Sequence, residues 1–223
     1  MKAALPRAAL PRAALPKAAL LERVSIRALA TIALGMASLS ANATVYTASL
    51  SGAVEAPPNA SPGTGTVTVD FDLAAHTMTV DVTFSGLLAG TTAAHIHCCT
   101  AVPGTGTAGV ATELPTFTGF PLGVTSGTYS HTFDTSLAAT WNPNFVDTFG
   151  GGTIAGAESA FIAGLDSGSA YLNLHTTFAP GGEIRGFLQP VPEPATFALL
   201  ALGAPVVLVA ARRRGKRRAF IEA

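Results

Sequence analysis

Two short runs alternate strictly between apolar and polar positions. In 66–73 (TVTVDFDL), Val67, Val69, Phe71 and Leu73 alternate with Thr66, Thr68, Asp70 and Asp72. In 77–84 (TMTVDVTF), Met78, Val80, Val82 and Phe84 alternate with Thr77, Thr79, Asp81 and Thr83. A period of two sends every second side chain to the same face of a strand. The pair therefore predicts an antiparallel hairpin with one apolar face and one Thr/Asp face turned to water. Positions 45–54 predict an earlier strand and 123–133 a later one. Positions 169–175 and 183–188 predict two more, joined by a turn at Pro180-Gly181-Gly182. One segment changes period. Ile154, Ala157, Phe161 and Leu165 recur at helical spacing, which predicts a short helix over 153–165 that covers an open end of the sheet. Positions 136–141 predict a single turn, ended at Trp141-Asn142-Pro143 because the residue before proline is pushed out of the helical region. The expected fold is all-β: a single antiparallel β-sandwich domain with Greek-key-like connections and one short helix.

The ends have other patterns. The first residues repeat Ala-Ala-Leu-Pro with a basic residue, a low-complexity stretch in which recurring proline prevents a continuous helix. Arg23 and Arg27 then precede an apolar run over 28–39, followed by the small-x-small tripeptide Ala41-Asn42-Ala43. Basic flank, short apolar core and small-residue site predict a secretory signal over 1–43, cut by signal peptidase near Thr44. At the other end Val191-Pro192-Glu193-Pro194 leads into an apolar run over 195–211 and a basic tail over 212–218. That run reaches the lower length limit for a transmembrane helix, and the basic tail is expected to stay cytoplasmic. The tripartite 191–223 end closely resembles the PEP-CTERM sorting signal of Gram-negative bacteria that make extracellular polysaccharide. The resemblance implies an inner-membrane intermediate, cleavage near the Pro-Glu-Pro by the membrane protease-transpeptidase exosortase, and delivery to the cell surface or beyond.

Charge is segregated, which changes the meaning of the zero net charge. Between residues 44 and 190 the single basic residue is Arg185, against ten acids, so this span carries a net charge of −9. Such a domain repels phosphate backbones, which excludes nucleic acid as a partner. A span of this length suits one domain with a real core. Export takes both cysteines into an oxidising compartment.

The chemistry concentrates in the stretch Ala-His-Ile-His-Cys-Cys-Thr at 94–100. On a strand, Ile96 faces the core while His95 and His97 share the opposite face, about 7 Å apart at their bases. If the strand bearing His175 pairs nearby, His95, His97 and His175 form a three-histidine set suited to zinc or copper, and Glu183 can add a carboxylate. The alternative is that the histidines hydrogen-bond to backbone or to acids and simply order the sheet edge. Cys98 and Cys99 have three options: a vicinal disulfide, thiolate ligation beside His97, or pairing with another molecule. A trans peptide holds neighbouring α-carbons about 3.8 Å apart, below the usual disulfide range, so a vicinal bond would force a turn. Arg185, alone among acids, is expected to pair with Glu183, two residues away on the same strand face; recognition of an anionic ligand is the alternative.

Ala94 to His97, Tyr171-Leu-Asn-Leu-His-Thr176 and Gly182-Glu-Ile-Arg-Gly186 together resemble the CHRD domain, over roughly 45–189. The resemblance implies an all-β domain and no enzymatic activity, hence no catalytic residue. The double cysteine departs from the family, where glycine or proline often follows the second histidine. The expected function is that of an exported, exosortase-sorted surface or matrix protein whose domain over 44–190 binds or supports exopolysaccharide, biofilm or other surface proteins. One rival is a zinc- or copper-binding protein built on His95 and His97. Another, by architectural analogy alone, is a superoxide-dismutase-like metalloenzyme.

Overall fold

In the computed structural model, residues 43–192 are described. The expected signal peptide, the apolar run over 195–211 and the basic tail all lie outside them. Among the described residues no helix is long and apolar enough to cross a membrane.

Eight strands form one antiparallel sheet: β1 (Thr44–Ser51), β2 (Thr64–Asp72), β3 (Thr77–Ser85), β4 (Thr91–His97), β5 (Gly127–Asp134), β6 (Tyr171–Thr176), β7 (Ile184–Phe187) and β8 (Gln189–Pro190). The order is β4-β6-β7-β1-β2-β3-β5, with β8 added to β1. The sheet curls, so strands from both ends of this path contribute to one apolar core. The all-β, antiparallel architecture is as expected, with one curled sheet supplying both layers.

The hairpin follows its alternation. Val67, Val69, Phe71, Met78, Val80, Val82 and Phe84 are buried, and Val69 lies opposite Val80. The pattern breaks at Leu73, which is 46% exposed. Here Asp72 ends the strand, because its Oδ1 accepts from the amides of Ala74 and Ala75 and folds the link into a turn.

Two helices close the core where one was expected. α1 (Pro143–Phe149) starts at the proline that ends the preceding 3-10 turn, Ala138–Thr140. Asn142 caps α1 by accepting from the Asn144 amide, and Pro143 occupies the first turn, where its missing N–H costs nothing. The Asn-Pro pair that stops one element thus begins another. α2 (Ile154–Asp166) matches the helical spacing, with the Thr153 hydroxyl accepting from the Gly156 amide. Its Ala157, Phe161 and Leu165 are buried, and Phe161 packs against Phe71, Trp141 and Phe145.

Cys98 and Cys99 form the vicinal disulfide. The peptide between them is cis, with α-carbons 3.0 Å apart, so the trans spacing used above does not apply. α2 rests on this disulfide through Gly164, where an added Cβ would collide with the Sγ atoms of both Cys98 and Cys99. Bridged sulfurs cannot swing aside as a flexible side-chain end can. Gly164→Ala should therefore cost about 1–3 kcal/mol by overpacking. Gly109→Ala, at a site with nothing within 4 Å, should be neutral. Chemical denaturation of both variants with the disulfide intact checks this, and equal midpoints would contradict the packing.

Candidate metal centre

Pairing of β4 with β6 builds the site. His95 lies opposite Asn173, His97 opposite Tyr171, and Ala93 opposite His175. Alternation sends Ala94, Ile96, Leu172 and Leu174 into the apolar core, all at 0% exposure. The other face carries His95, His97, Tyr171, Asn173 and His175. That face is buried as well, because the segment after Cys99 folds back along the free edge of β4. The Gly109 carbonyl accepts from the Cys98 amide, and the amides of Ala111 and Phe117 donate to the carbonyls of Ile96 and Ala94. The edge is thus paired, as buried backbone requires, and His95 and His97 are only 6% and 8% exposed.

Each ring uses one nitrogen on a backbone carbonyl. His95 Nε2 donates to the Pro115 carbonyl at 2.6 Å, His97 Nδ1 to that of Ala108 at 2.9 Å, and His175 Nδ1 to that of Pro180 at 2.9 Å. A carbonyl can only accept, so the proton sits on those nitrogens and the opposite nitrogen of each neutral ring carries a lone pair. Those opposite atoms, His95 Nδ1, His97 Nε2 and His175 Nε2, are buried and have no hydrogen-bond partner. One ring nitrogen from each histidine lies within 4.8 Å of one from each of the others. Burial disfavours the charged rings, lowering His97 to about 4 and holding His95 and His175 below the ordinary histidine value. Three neutral imidazoles, each oriented by a carbonyl, form a donor set of the kind that binds zinc or copper.

Behind His97 stands a stack. The Tyr171 ring lies parallel to His97 at 4.9 Å, and the Arg185 guanidinium covers Tyr171 at 4.8 Å. Arg185 is buried and donates through Nε to the Val54 carbonyl and through Nη1 to that of Gly106. Its carboxylate is Glu55, 3.7 Å away.

The expected Glu183–Arg185 pair is therefore corrected. Glu183 precedes β7, beyond the reach of strand alternation, behind the turn at Gly182. Its carboxylate accepts from the Ser61 hydroxyl, the Leu88 amide and the Thr176 hydroxyl, each at 2.6 Å. With these three donors Glu183 ties together distant segments, and it does not join the histidine cluster. Nor do the cysteines: Cys98 lies among the apolar core residues, on the Ile96 side of the strand.

Several contributors were not read from the sequence. Glu55 and the three carbonyls carry no sequence signal of their own, because their roles arise from how loops fold over the sheet. Apart from the cluster, His76 binds Glu158 of α2 at 2.9 Å, and Glu158 also accepts from the Thr135 hydroxyl. His131 packs edge-on against Phe133 at 4.5 Å.

The sequence model of the CHRD domain matches residues 46–188. The chain belongs to the CHRD domain family. The PEP-CTERM protein-sorting motif matches residues 190–216, immediately after the CHRD domain. It marks an exported, cell-surface protein of Gram-negative bacteria that exosortase processes. No curated protein and no solved structure matches the chain. The hallmark strands of the CHRD resemblance, Ala94 to His97 and Tyr171 to Thr176, are the two that β4–β6 pairing brings together.

The lowered histidines have a pH signature. As pH falls below about 6.5 the unfolded chain takes up protons first. The contribution of His95, His97 and His175 is complete above that pH and is lost as pH falls through their folded values, about 4 for His97. Glu55 acts in the opposite sense. Burial, partly offset by Arg185, pushes its carboxyl up to about 7, so its contribution is complete below its unfolded value and is lost as pH rises through 7. His76, raised by its bond to Glu158, varies mainly above pH 6.5. The metal-free CHRD domain should lose stability between about pH 6.5 and 4, and Glu55→Gln should steepen the loss. Urea unfolding at stepped pH checks this; flat stability in Glu55→Gln across that window would contradict neutral buried histidines.

Proposed function

We propose that this CHRD domain is a metal-binding module at the cell surface, holding one zinc or copper ion through His95, His97 and His175. The observation that carries the reading is the trio of buried lone pairs without donors, at His95 Nδ1, His97 Nε2 and His175 Nε2. Leaving a buried acceptor unsatisfied costs about 1–3 kcal/mol. Three such acceptors side by side, with tautomers already set by carbonyls, are accounted for by a shared cation. A bound ion would supply the positive charge these lone pairs face and, with three protein ligands, would keep a position open. The reading is one of binding rather than turnover. Metal-dependent disproportionation of superoxide by the loaded protein would replace it with the dismutase-like alternative.

A second reading concerns the outer face. Aligned positions of β2, β3 and β5 present Thr66, Thr83 and Thr128 in one row, Thr68, Asp81 and Ser130 in the next, and Asp70, Thr79 and Thr132 in a third. These hydroxyl rows support contact with neutral sugar hydroxyls, and so a place in exopolysaccharide or biofilm. In this reading signal peptidase frees the N-terminus, the inner membrane holds the intermediate, and exosortase then delivers the domain.

Elemental analysis of residues 44–190, exported through the periplasm and purified without chelator, should find about one zinc or copper per chain. His95→Ala/His97→Ala should lose it while circular dichroism shows a retained fold. A folded wild-type domain that takes up neither metal after addition of both would end the metal reading and turn attention to the hydroxyl face.

A further inference from the structure

The chain enters and leaves the CHRD domain at one corner. β1 begins at Thr44, the expected first residue after signal cleavage, and β8 runs antiparallel beside it, with Thr47 opposite Gln189 and Tyr46 opposite Pro190. One residue further, the Val191 amide donates to the Val45 carbonyl at 2.8 Å. Val191 opens the Val-Pro-Glu-Pro stretch of the sorting signal. Just upstream the chain is anchored: Leu188 is wholly buried, its amide donates to the Ala170 carbonyl at 3.0 Å, and the Gln189 side chain packs where a Cβ at Gly168 would sit. Pro190 and Pro192 have no N–H, so Val191 supplies the only donor among these three residues.

An enzyme that binds an extended segment does so through main-chain groups on both sides of the bond it cuts. On the upstream side of the motif the domain itself already holds those groups. We propose that the folded CHRD domain guards its own sorting motif: exosortase gains the chain beside Val191 only when β8 lifts from β1. The inference rests on the reading of 191–194 as exosortase's target. The guard is shallow by construction. β8 has two residues, pairs with one strand only, and is exposed, so it belongs to the part of the fold that opens without global unfolding. Processing is then paced by a local opening rather than prevented. Cleavage breaks one peptide C–N bond. The acyl carbon passes to water or to an acceptor amine, and the nitrogen takes a proton and leaves as the amine of the membrane-bound remainder.

The test uses the full precursor in a bacterium that carries exosortase, with cut and uncut forms followed by pulse-chase. A short Gly-Ser insertion between Pro190 and Val191 frees the motif from the β1 edge and should speed cutting several-fold. The same insertion after Gly151, an exposed turn residue between α1 and α2 with open space around it, should leave the rate unchanged. A second variant closes the guard. Val45→Cys/Val191→Cys, oxidised to a cross-strand disulfide, should resist cutting in exosortase-containing membranes and be cut once reduced, with wild type under the same reductant as the control. An unchanged or slower rate with the Pro190 insertion, or cutting of the oxidised variant at the wild-type rate, would overturn the inference. A wild-type precursor that accumulates uncut with exosortase present as it does without it would overturn the sorting reading itself, and the inference with it.

Discussion

Both faces of the β4-β6-β7 part of the sheet are buried, and the rest of the molecule is arranged around that constraint. One face packs apolar side chains into the core. The other must satisfy histidine, asparagine, arginine and tyrosine away from water, where an unpaired polar group is costly. The covering segment after Cys99 meets most of this demand with carbonyls, at Gly106, Ala108 and Pro115. Carbonyls can only accept, so they satisfy the N–H side of each ring and leave the lone-pair side open. With the Pro180 carbonyl of the β6-β7 turn doing the same for His175, the convergence of three such lone pairs follows from the kind of backbone group these loops supply.

The same demand explains the second polar cluster. Arg185 is buried beside Glu55, shares carbonyls with the loops, and lies against the Tyr171 and Phe187 rings. A buried guanidinium needs such a set of partners to balance its lost hydration. Because Tyr171 also lies flat on His97, the ion pair and the histidine cluster share one wall. Glu183 performs a parallel task on the far side of the β6-β7 turn, where its carboxylate links Ser61, Leu88 and Thr176. The acids of this domain divide accordingly: Glu55, Glu158 and Glu183 are buried and bonded, whereas Asp70 and Asp81 lie on the solvated outer face.

Exposure follows the same logic at the opposite end of the sheet. β2, β3 and β5 bury one face only, and there simple alternation describes the structure well. Where a strand is covered on both sides, alternation still sorts residues to faces but no longer tells solvent from interior. Asn173 and Tyr171 alternate with the core residues Leu172 and Leu174, yet are only 2% exposed in the fold.

The sequence by itself determined the strand faces, the β2-β3 hairpin, the α2 spacing, the family and the sorting signal, because each is written in local periodicity or contiguous motif. It also placed His95 and His97 on one face, since parity within a single strand needs no partner. Tertiary structure decided everything that depends on a second segment. It brought His175 to the pair through β4-β6 registry, chose Glu55 over Glu183 for Arg185, and closed Cys98 onto Cys99 rather than onto a metal or another chain. It also turned an Asn-Pro stop into the start of α1. Sequence spacing measures distance along the chain. Ligand sets and ion pairs depend on distance across it, which is set only when the loops fold over the sheet and their carbonyls accept from the N–H groups they face.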